Sequence, residues 1–281
     1  MLYVTDLTYR ARGRCYPAED LMLSARLRDG FDLALCHPLD ARGSMDRFDG
    51  VVVRNTGPVL HYREEYAAFR ARAAAHGTRV FNTLTGKADM AGKGYLVDLT
   101  ARGFPVIPTV GRHADLDRLP VVADYVVKPT YGADSIGLEV VPRGRLADVT
   151  YGDVLVQPYL DLVHEVSFYF VDRTFCYALV APRPQARWEL EPYRPTSDDL
   201  AFAQRFVDWN DIEHGIQRVD AGRTPGGGLL LVELEDLNPF LSLDASGRVY
   251  PGGVRGGHVG VAAPPAPALT PVVRRRGGTR G

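Results

Sequence analysis

Three lysines stand out in a chain whose other basic residues are all arginines. Of the 33 basic residues among 281, only Lys87, Lys93 and Lys128 are lysines. A lysine ammonium is compact and sits on a flexible stem, so it can contact a single phosphate oxygen in a slot that is too narrow for a guanidinium group. The scarcity of lysine therefore predicts a role that arginine cannot fill.

A glycine-bearing loop follows Lys128. This lysine comes after the apolar stretch "YVV" and precedes "PTYGADSIG", which contains Gly132, Ser135 and Gly137. Glycines let the backbone come close to a polyphosphate, and backbone N–H groups and the serine hydroxyl can donate to its oxygens. The stretch predicts a loop that covers phosphates, with a plain β-hairpin turn as the alternative. It is not a Walker loop, because the lysine precedes the glycines and no helix follows directly.

Acidic residues form a second group further along the chain. "RVD" contributes Arg218 and Asp220 from one predicted strand, and "VELEDLNP" ends the next with Glu233, Glu235, Asp236 and Asn238. Alternation places the two glutamates on one face, where like charges repel unless a cation lies near them. The apolar flanks "LLLV" and "PFLSL" favour an interior strand over the alternative, a solvated edge strand. Oxygen ligands from two adjacent strands suit Mg²⁺, which keeps several waters and shares substrate phosphates.

Residues 1–85 alternate between strand-like and helix-like stretches. Strands are predicted in "LYVTD", "FDLALCHP", "DGVVVRNTGP" and "TRVFN", and helices in "AEDLMLSARLRDG" and "HYREEYAAFRARAAAHG". The second helix is predicted to stop at Gly77. Alternation of this kind predicts a small doubly wound parallel sheet.

After residue 85 the pattern predicts hairpins more than crossovers. A helix begins within "KADMAGKGYLVDLTARG", the strands "DYVVKP" and "IGLEVV" flank the glycine loop, and "DVLVQPYL" is a further strand. Next come a long hairpin in "EVSFYFVDRTFCYALV", a helix over "SDDLAFAQRFVDW" and two strands in "GIQRVDAGRTPGGGLLLVELED". The end, "AAPPAPALTPVVRRRGGTRG", has no core pattern and predicts disorder.

The bulk composition excludes several classes of function. A hydrophobic content of 46%, a charged content of 24% and a net charge of −1 are ordinary for a globular protein and give no general attraction to nucleic acid or to an anionic membrane. No apolar run approaches the roughly 20 residues that span a bilayer, and no signal-peptide pattern opens the chain. Cys15, Cys36 and Cys176 lack metal-ligand spacing and predict thiols in a reducing cytosol. We expect a cytoplasmic protein without nucleic-acid or membrane partners. Whether it forms a homodimer is left open by the sequence.

The lysine–glycine loop, "RVD" and "ELEDLNP" together resemble the ATP-grasp superfamily over residues 85–262. One family lysine begins the helix ahead of a proline-bounded segment, which Lys93 before "FPVIPT" matches, and the other ends a strand before the glycine loop, which Lys128 matches. The resemblance implies an α/β (α+β) ATP-grasp fold. Its parts would be an N-terminal βαβ domain over residues 1–85, a lid subdomain over 86–153, a C-terminal antiparallel-sheet subdomain over 154–262 and a disordered tail over 263–281.

The same resemblance implies ATP and Mg²⁺ as cofactors and assigns residues to them. Arg218 and Lys128 would be catalytic, with Arg218 facing the transferred phosphate. The implied ATP-binding residues are Lys93, Lys128, Gly132, Ser135, Gly137, Gln157, Tyr159, Leu160 and Glu165. The implied Mg²⁺ ligands are Asp220, Glu235, Asn238 and Glu233. The usual family motif, E-x-N, would give the glutamate role to Asp236, whereas relatives with an E-L-E-x-x-E/N-P motif favour Glu235, so this choice stays open.

The chemistry that the resemblance implies is carbon–nitrogen ligation. A carboxylate would attack the γ-phosphate of ATP to give an acyl phosphate, and an amine-type nucleophile would displace phosphate. Within the superfamily, "RNTGPVLHY" and "ELEDLNP" resemble the cyclo-ligases of cycloserine-type antibiotic biosynthesis, in which the nucleophile is on the substrate itself. The alternatives are an intermolecular amino-acid or dipeptide ligase and a non-catalytic ATP-binding regulatory module.

The substrate is expected to be small and amino-acid-like, because the chain has no second recognition domain. Loops at the carboxyl ends of the N-terminal strands are the expected place for it. They offer Tyr9, Arg54 and Asn55. For Arg54, an ordinary arginine at a strand end is the alternative.

Overall fold

The structure is a computed structural model that describes residues 1–11, 14–54, 59–132, 135–183 and 189–246. All of them belong to one unit, Met1–Arg248. The predicted disordered tail, residues 263–281, lies outside the described residues, and so does the end of the predicted C-terminal subdomain. None of the helices within these ranges is both long enough and apolar enough to cross a bilayer.

A four-stranded parallel sheet forms the N-terminal part. Its strands are β1 (Leu2–Val4), β4 (Ala34–Cys36), β5 (Val51–Val53) and β6 (Val80–Phe81), in the order β4-β1-β5-β6. The small hairpin β2 (Arg10–Ala11) and β3 (Arg14–Cys15) and the helices α1 (Tyr16–Leu27), α2 (Pro38–Ser44) and α3 (Arg63–His76) lie between them in sequence. Every strand pair of this sheet is parallel, which confirms the predicted βαβ arrangement.

Helix α3 shows how the sequence pattern produces this packing. Tyr66, Phe69 and Ala73 recur on one helical face and are buried against the sheet. The helix ends at Gly77, as predicted, because its φ of 62° is a left-handed conformation that glycine adopts without strain. The apolar face of the helix and the alternation in the strands therefore build a core of their own beneath this sheet.

A three-stranded antiparallel sheet forms the lid. It follows helix α4 (Tyr95–Ala101) and contains β7 (Asp124–Pro129), β8 (Glu139–Pro142) and β9 (Val154–Pro158), in the order β8-β7-β9. Strand β9 pairs with β7 along its whole length, from Val154 to Pro158. The lid sheet therefore extends past the boundary predicted at residue 153, because β9 finds its hydrogen-bonding partner in the lid.

A five-stranded antiparallel sheet forms the C-terminal part. Its strands are β10 (His164–Val171), β11 (Thr174–Ala181), β12 (Glu191–Tyr193), β13 (Ile216–Arg223) and β14 (Leu229–Glu235), in the order β12-β11-β10-β13-β14. Helix α5 (Ser197–Asn210) begins with a capping box between Thr196 and Asp199. Its apolar face packs Phe206 and Val207 into the core under this sheet. The predicted long hairpin, the predicted helix and the two acid-bearing strands are all present.

Candidate active site

A cleft of about 440 Å³ lies between the lid sheet and the end of β14. It brings together most of the residues predicted to bind ATP: Lys93, Lys128, Gly132, Ser135, Gln157, Tyr159, Leu160 and Glu165. Exposed apolar side chains from the lid, namely Ile136, Leu138 and Val140, line the same cleft. The cleft thus has an apolar wall beside a group of polar and cationic side chains, which is the usual composition of a small-molecule site.

The glycine loop between β7 and β8 is folded tightly against Pro129. A Cβ atom at Gly137, where φ is 74°, would lie 2.9 Å from the Pro129 Cγ atom. Ser135 also has a positive φ, 59°. Gly137 does not line the cleft, so its predicted place among the ATP-binding residues becomes a role in the shape of the loop. Ala133 and Asp134, at the centre of this loop, lie outside the described residues.

Lys93 lies immediately before α4 and links three parts of the site. Its ammonium is 2.6 Å from a carboxylate oxygen of Glu233, and its backbone N–H donates to the Thr130 carbonyl in the lid at 2.8 Å. Burial lowers the pKa of Lys93, but the charge of Glu233 more than offsets this, and the net pKa is raised. Lys93 is therefore held as a cation. Glu233, predicted as a Mg²⁺ ligand, is the counterion of Lys93 in this structure.

Arg218 and two acids meet across β13 and β14. The register pairs Arg218 with Glu235, and Asp220 with Glu233, with a bulge after Asp220. The Arg218 guanidinium contacts Asp220 through two nitrogens, at 3.0 and 2.8 Å, and also bonds Glu235 and the Phe240 carbonyl. A single guanidinium thus compensates two carboxylates that the sequence placed on adjacent strands.

Glu235 is the acid with the poorest compensation. Its pKa is raised to about 8, first by burial and then by the charges of Asp220 and Glu233, and the nearby Arg218 and Lys93 only partly oppose this rise. A Ser167 hydroxyl donates to Asp220 at 2.6 Å, so Asp220 is better satisfied. An additional cation at Glu235 would relieve this repulsion.

The donor set fits Mg²⁺ bound together with substrate phosphates. Across the described ranges, no group of three or more His, Cys, Asp or Glu side chains is arranged so that it could hold a metal ion. Asp220 and Glu235 are two carboxylates brought to one guanidinium, and Asn238 lies three residues after the last residue of β14. Mg²⁺ is usually held by one or two carboxylates, with waters and phosphate oxygens completing its octahedron. The two carboxylates beside Arg218 meet this requirement.

Asp236 faces away from these acids. It is fully buried, and its carboxylate accepts hydrogen bonds from the Ala88 and Met90 N–H groups, at 3.2 and 2.8 Å, and from the Asn210 amide at 3.1 Å. Its acceptor oxygens are thus occupied by the fold. Of the two residues that the sequence left open for the glutamate role, the structure leaves Glu235 beside Arg218 and Asp220.

Of the three residues predicted to bind the substrate, the structure describes two. Arg54 is 2% exposed, and its guanidinium donates to Asp20 at 2.9 Å and lies 3.5 Å from Glu19. The guanidinium is buried and paired with these two acids, while its Nη1 atom is buried without a hydrogen-bond partner, so a role of Arg54 toward a substrate stays a prediction. Tyr9 packs at 5.2 Å from the ring of Tyr16. Asn55 lies outside the described residues.

Sequence reasoning missed several residues around the site. Tyr131 of the glycine loop packs on Gly92, where a Cβ atom would come within 2.6 Å of the ring, and the Arg63 guanidinium lies 3.9 Å above that ring. Asp89 accepts hydrogen bonds from two backbone N–H groups just after β14. No periodicity or motif marks these residues, because each acts through a partner that is distant in sequence.

Known proteins resemble this chain in sequence and in fold. No family model matches the sequence. A curated relative, cycloserine biosynthesis protein DcsG from Streptomyces lavendulae, is 28% identical over 262 residues, which cover 80% of this chain and 87% of that protein.

Three solved structures share the fold. The crystal structure of D-cycloserine synthetase DcsG matches with a TM-score of 0.66 and 24% identity, covering 87% of this chain and 94% of that chain. D-alanine–D-alanine ligase from Bacillus anthracis complexed with ATP matches at 0.62 and 13%, with 87% and 89% covered. The ATP-grasp ligase PsnB, complexed with a phosphomimetic variant of its minimal precursor, Mg and ADP, matches at 0.59 and 16%, with 86% and 92% covered. These structures confirm the predicted ATP-grasp fold.

Proposed function

We propose that this ATP-grasp chain uses Mg·ATP to activate a small amino-acid-like carboxylate and closes the product by attack of a nitrogen on the same molecule. It would thus be a cyclo-ligase of cycloserine-type antibiotic biosynthesis. The observation that carries the ATP-dependent part is the convergence of Lys93, Lys128 and the glycine loop on one cleft. The cyclo-ligase part is supported by the relative at 28% identity, whose name is that of a cycloserine biosynthesis protein.

The cleft offers a place for each part of ATP. The apolar side chains Ile136, Leu138 and Val140 provide a wall for the adenine, and the strand end with Gln157 to Leu160 provides backbone groups for its edge. Glu165 lies in the same cleft, where a carboxylate can accept from ribose hydroxyls. Lys93, Lys128 and the loop with Gly132 and Ser135 would then hold the phosphates.

The phosphates would lie between the lysines and Arg218. In the first step, a substrate carboxylate oxygen attacks the γ-phosphorus, the bond to the β-phosphate oxygen breaks, and ADP leaves. Arg218 and Lys128 would stabilise the charge on the transferring phosphoryl group, which is the main contribution a protein makes to this step. In the second step, a nitrogen attacks the carbonyl carbon, the bond to the phosphate oxygen breaks, and inorganic phosphate leaves as the nitrogen gives up a proton to solvent.

Mg²⁺ would be held by Asp220, Glu235 and Asn238. A metal ion held by these residues would neutralise charge on the polyphosphate. The role of the protein is to keep these ligands in place, and the pairing of Asp220 with Arg218 does so.

The test is ADP release from the full chain with one substrate at a time. Purified protein is mixed with Mg·ATP and single amino-acid-like carboxylates, including O-ureido-D-serine in both chiral forms, and ADP, phosphate and product mass are measured. We expect equal ADP and phosphate and a ring-closed product lighter than its substrate by one water. With O-ureido-serine, the carbamoyl group must also leave to give cycloserine, and hydrolysis with one water releases it as carbon dioxide and ammonia, which are measured too. Lys128→Ala serves as the control for background hydrolysis.

Two other results would overturn the cyclo-ligase. ADP release that requires a second amine, with a product joining the two molecules, would identify an intermolecular amino-acid or dipeptide ligase. Tight Mg·ATP binding without ADP release from any carboxylate would favour a regulatory module that binds nucleotide without chemistry.

A further inference from the structure

Two aspartates hold each other's loops by crossed hydrogen bonds. Asp89 accepts from the backbone N–H groups of Asp236 and Leu237, at 2.6 and 3.0 Å. Asp236 in turn accepts from the N–H groups on both sides of Asp89, those of Ala88 and Met90. Four backbone donors that would otherwise be unsatisfied near the core are thereby paired by two side chains.

Neighbouring residues leave space for Asp236 and bind its carboxylate. Asp236 is fully buried, and a Cβ atom at Gly86 would overlap its carboxylate. Asn210 donates to Asp236 and accepts from the Lys87 N–H at 2.7 Å, which adds a third connection to the same loop. The loop from Gly86 to Gly92 is therefore fastened to the end of β14 at several points.

Asp236 and Asp89 are both close in sequence to residues of the proposed nucleotide site. The residue before Asp236 is Glu235, the acid beside Arg218. Four residues after Asp89 comes Lys93, whose backbone bonds the lid at Thr130, and between them Gly92 carries the ring of Tyr131. The contact thus joins the metal-side strand to the phosphate-side loop and, through that loop, to the lid.

We infer that Asp89 is a positioning residue, and that its reciprocal contact with Asp236 sets the spacing between Lys93 and Glu235 across the cleft. This inference rests on the proposed function, because it concerns how the same site holds Mg·ATP. Asp89 touches neither nucleotide nor metal in this proposal. It acts through the backbone of β14 and through the loop that it belongs to.

The experiment compares Asp89→Ala with Asp89→Asn and with a control acid. Asn keeps an oxygen that can accept the two N–H bonds, whereas Ala removes it. Asp199→Ala is the control, because Asp199 is, like Asp89, an acid that accepts backbone hydrogen bonds, but it serves the start of α5. The dissociation constant of Mg·ATP and the Mg²⁺ concentration for half-maximal nucleotide binding are measured well below each variant's melting temperature, together with ligand-free stability.

We expect Asp89→Ala to weaken Mg·ATP binding and to raise the required Mg²⁺, by about 10- to 100-fold, as loss of a supporting contact around a metal site does. Asp89→Asn should recover most of this loss. Asp199→Ala should lower the melting temperature and leave nucleotide affinity within about twofold of the parent, since it has no contact with the site.

The inference is overturned if Asp89→Ala only lowers stability, as Asp199→Ala does, with nucleotide affinity unchanged. Asp89→Ser, which shortens the side chain but leaves it polar, takes the place of Asp89→Ala if the alanine variant does not fold. Binding of Mg·ATP by the parent is measured separately from ligation. Failure of the ligase proposal would therefore leave parent binding without turnover, whereas failure of the positioning role would leave Asp89→Ala binding unchanged.

Discussion

Lys128 and Arg218 carry different kinds of positive charge and have different surroundings. Lys128 ends β7 at the wall of the cleft, whereas Arg218 is already committed to Asp220, Glu235 and the Phe240 carbonyl. A planar guanidinium with several donors suits this second task, and a compact ammonium suits contact with one phosphate oxygen. The nearly complete absence of lysine elsewhere in the sequence is consistent with this division.

Lys128→Arg should reduce kcat/KM for ATP by about 100-fold, because a broader group under the glycine loop would push the phosphates out of line. Lys87→Arg is the matched control, since the Lys87 ammonium is exposed and bonds the Trp209 carbonyl. Steady-state kinetics on both variants measures the difference. Equal losses, or none in either, would remove Lys128 from the phosphate site.

Glu235→Gln and Asp220→Asn should have opposite effects on the stability of the ligand-free protein. Burial and neighbouring acids disfavour the ionised form of Glu235, so its neutral analogue should be at least as stable as the parent near neutral pH. Asp220→Asn should lower the free energy of unfolding by about 2 kcal/mol, because it loses charge-assisted hydrogen bonds with Arg218. Chemical denaturation measures both.

Added Mg²⁺ and nucleotide should stabilise the parent and fail to stabilise Glu235→Gln to the same extent. If Glu235→Gln instead unfolds as readily as Asp220→Asn, Glu235 is a structural acceptor and its assignment to Mg²⁺ is wrong.

At the scale of elements, the glycine loop depends on the segment before α4. Tyr131 of the loop rests on Gly92 and under the Arg63 guanidinium, an arrangement that favours a cation–π contact. The backbone bond from Lys93 to Thr130 runs beside it. The lid loop is therefore connected at two points to the segment before α4.

Gly92→Ala should weaken Mg·ATP binding by roughly tenfold, because the new Cβ atom must displace the Tyr131 ring and with it the loop. Gly77→Ala is the control: Gly77 also has a positive φ, but a Cβ atom there meets nothing within 4 Å. Titration of nucleotide binding by calorimetry compares the two. A loss of stability without a change in affinity in both variants would show that Tyr131 does not hold the loop.

The start of α5 should make stability depend on acid pH through Asp199. Burial raises the pKa of this carboxyl, but Arg223, the Thr196 N–H and Tyr193 outweigh it, and the net pKa is lowered. The stabilisation is therefore present above the unfolded-state pKa of 3.8 and is lost as the pH falls through the lower folded-state value. Asp199→Asn should cost about 1–2 kcal/mol at pH 7, and this gap should close in acid.

Denaturation of Asp199→Asn across the acid range measures that gap, with Asp198→Asn as the control, since Asp198 is an exposed acid in the same helical turn. A gap that persists unchanged below pH 3.8 would mean that the charge of Asp199 contributes nothing to the cap.

For the molecule as a whole, Mg·ATP should act as a folding ligand. At a free concentration 100 times its dissociation constant, a ligand adds about 2.7 kcal/mol to the free energy of unfolding. For a protein of this size that corresponds to a rise of about 5–10 °C in melting temperature. A thermal-shift assay with Mg·ATP, ATP with a chelator, and Mg²⁺ alone tests this, and no shift with millimolar Mg·ATP would argue against a nucleotide site.

Local patterns in the sequence were sufficient to predict the elements, and they singled out most of the candidate residues that the fold brings to one cleft. Alternation of strands and helices predicted the parallel sheet, and period-2 apolar patterns predicted the hairpins and the acid-bearing strands. Lys128 with its glycines, and Arg218 with Asp220, were identified because each set is contiguous and its residue types suit one chemistry. These features depend on residues that are neighbours in the chain.

The tertiary structure alone decided which partner each charge has. Strand alternation could place Glu233 and Glu235 on one face. Only the fold determines that Glu233 forms an ion pair with Lys93 and that Glu235 is bonded by Arg218. The Arg54 side chain is buried, because its guanidinium pairs with two acids of α1. Asp89 and Asp236 meet across 147 residues, and no local pattern records such a pair. The pKa and role of a buried charge depend on the groups that surround it in space, and chain order does not specify those groups.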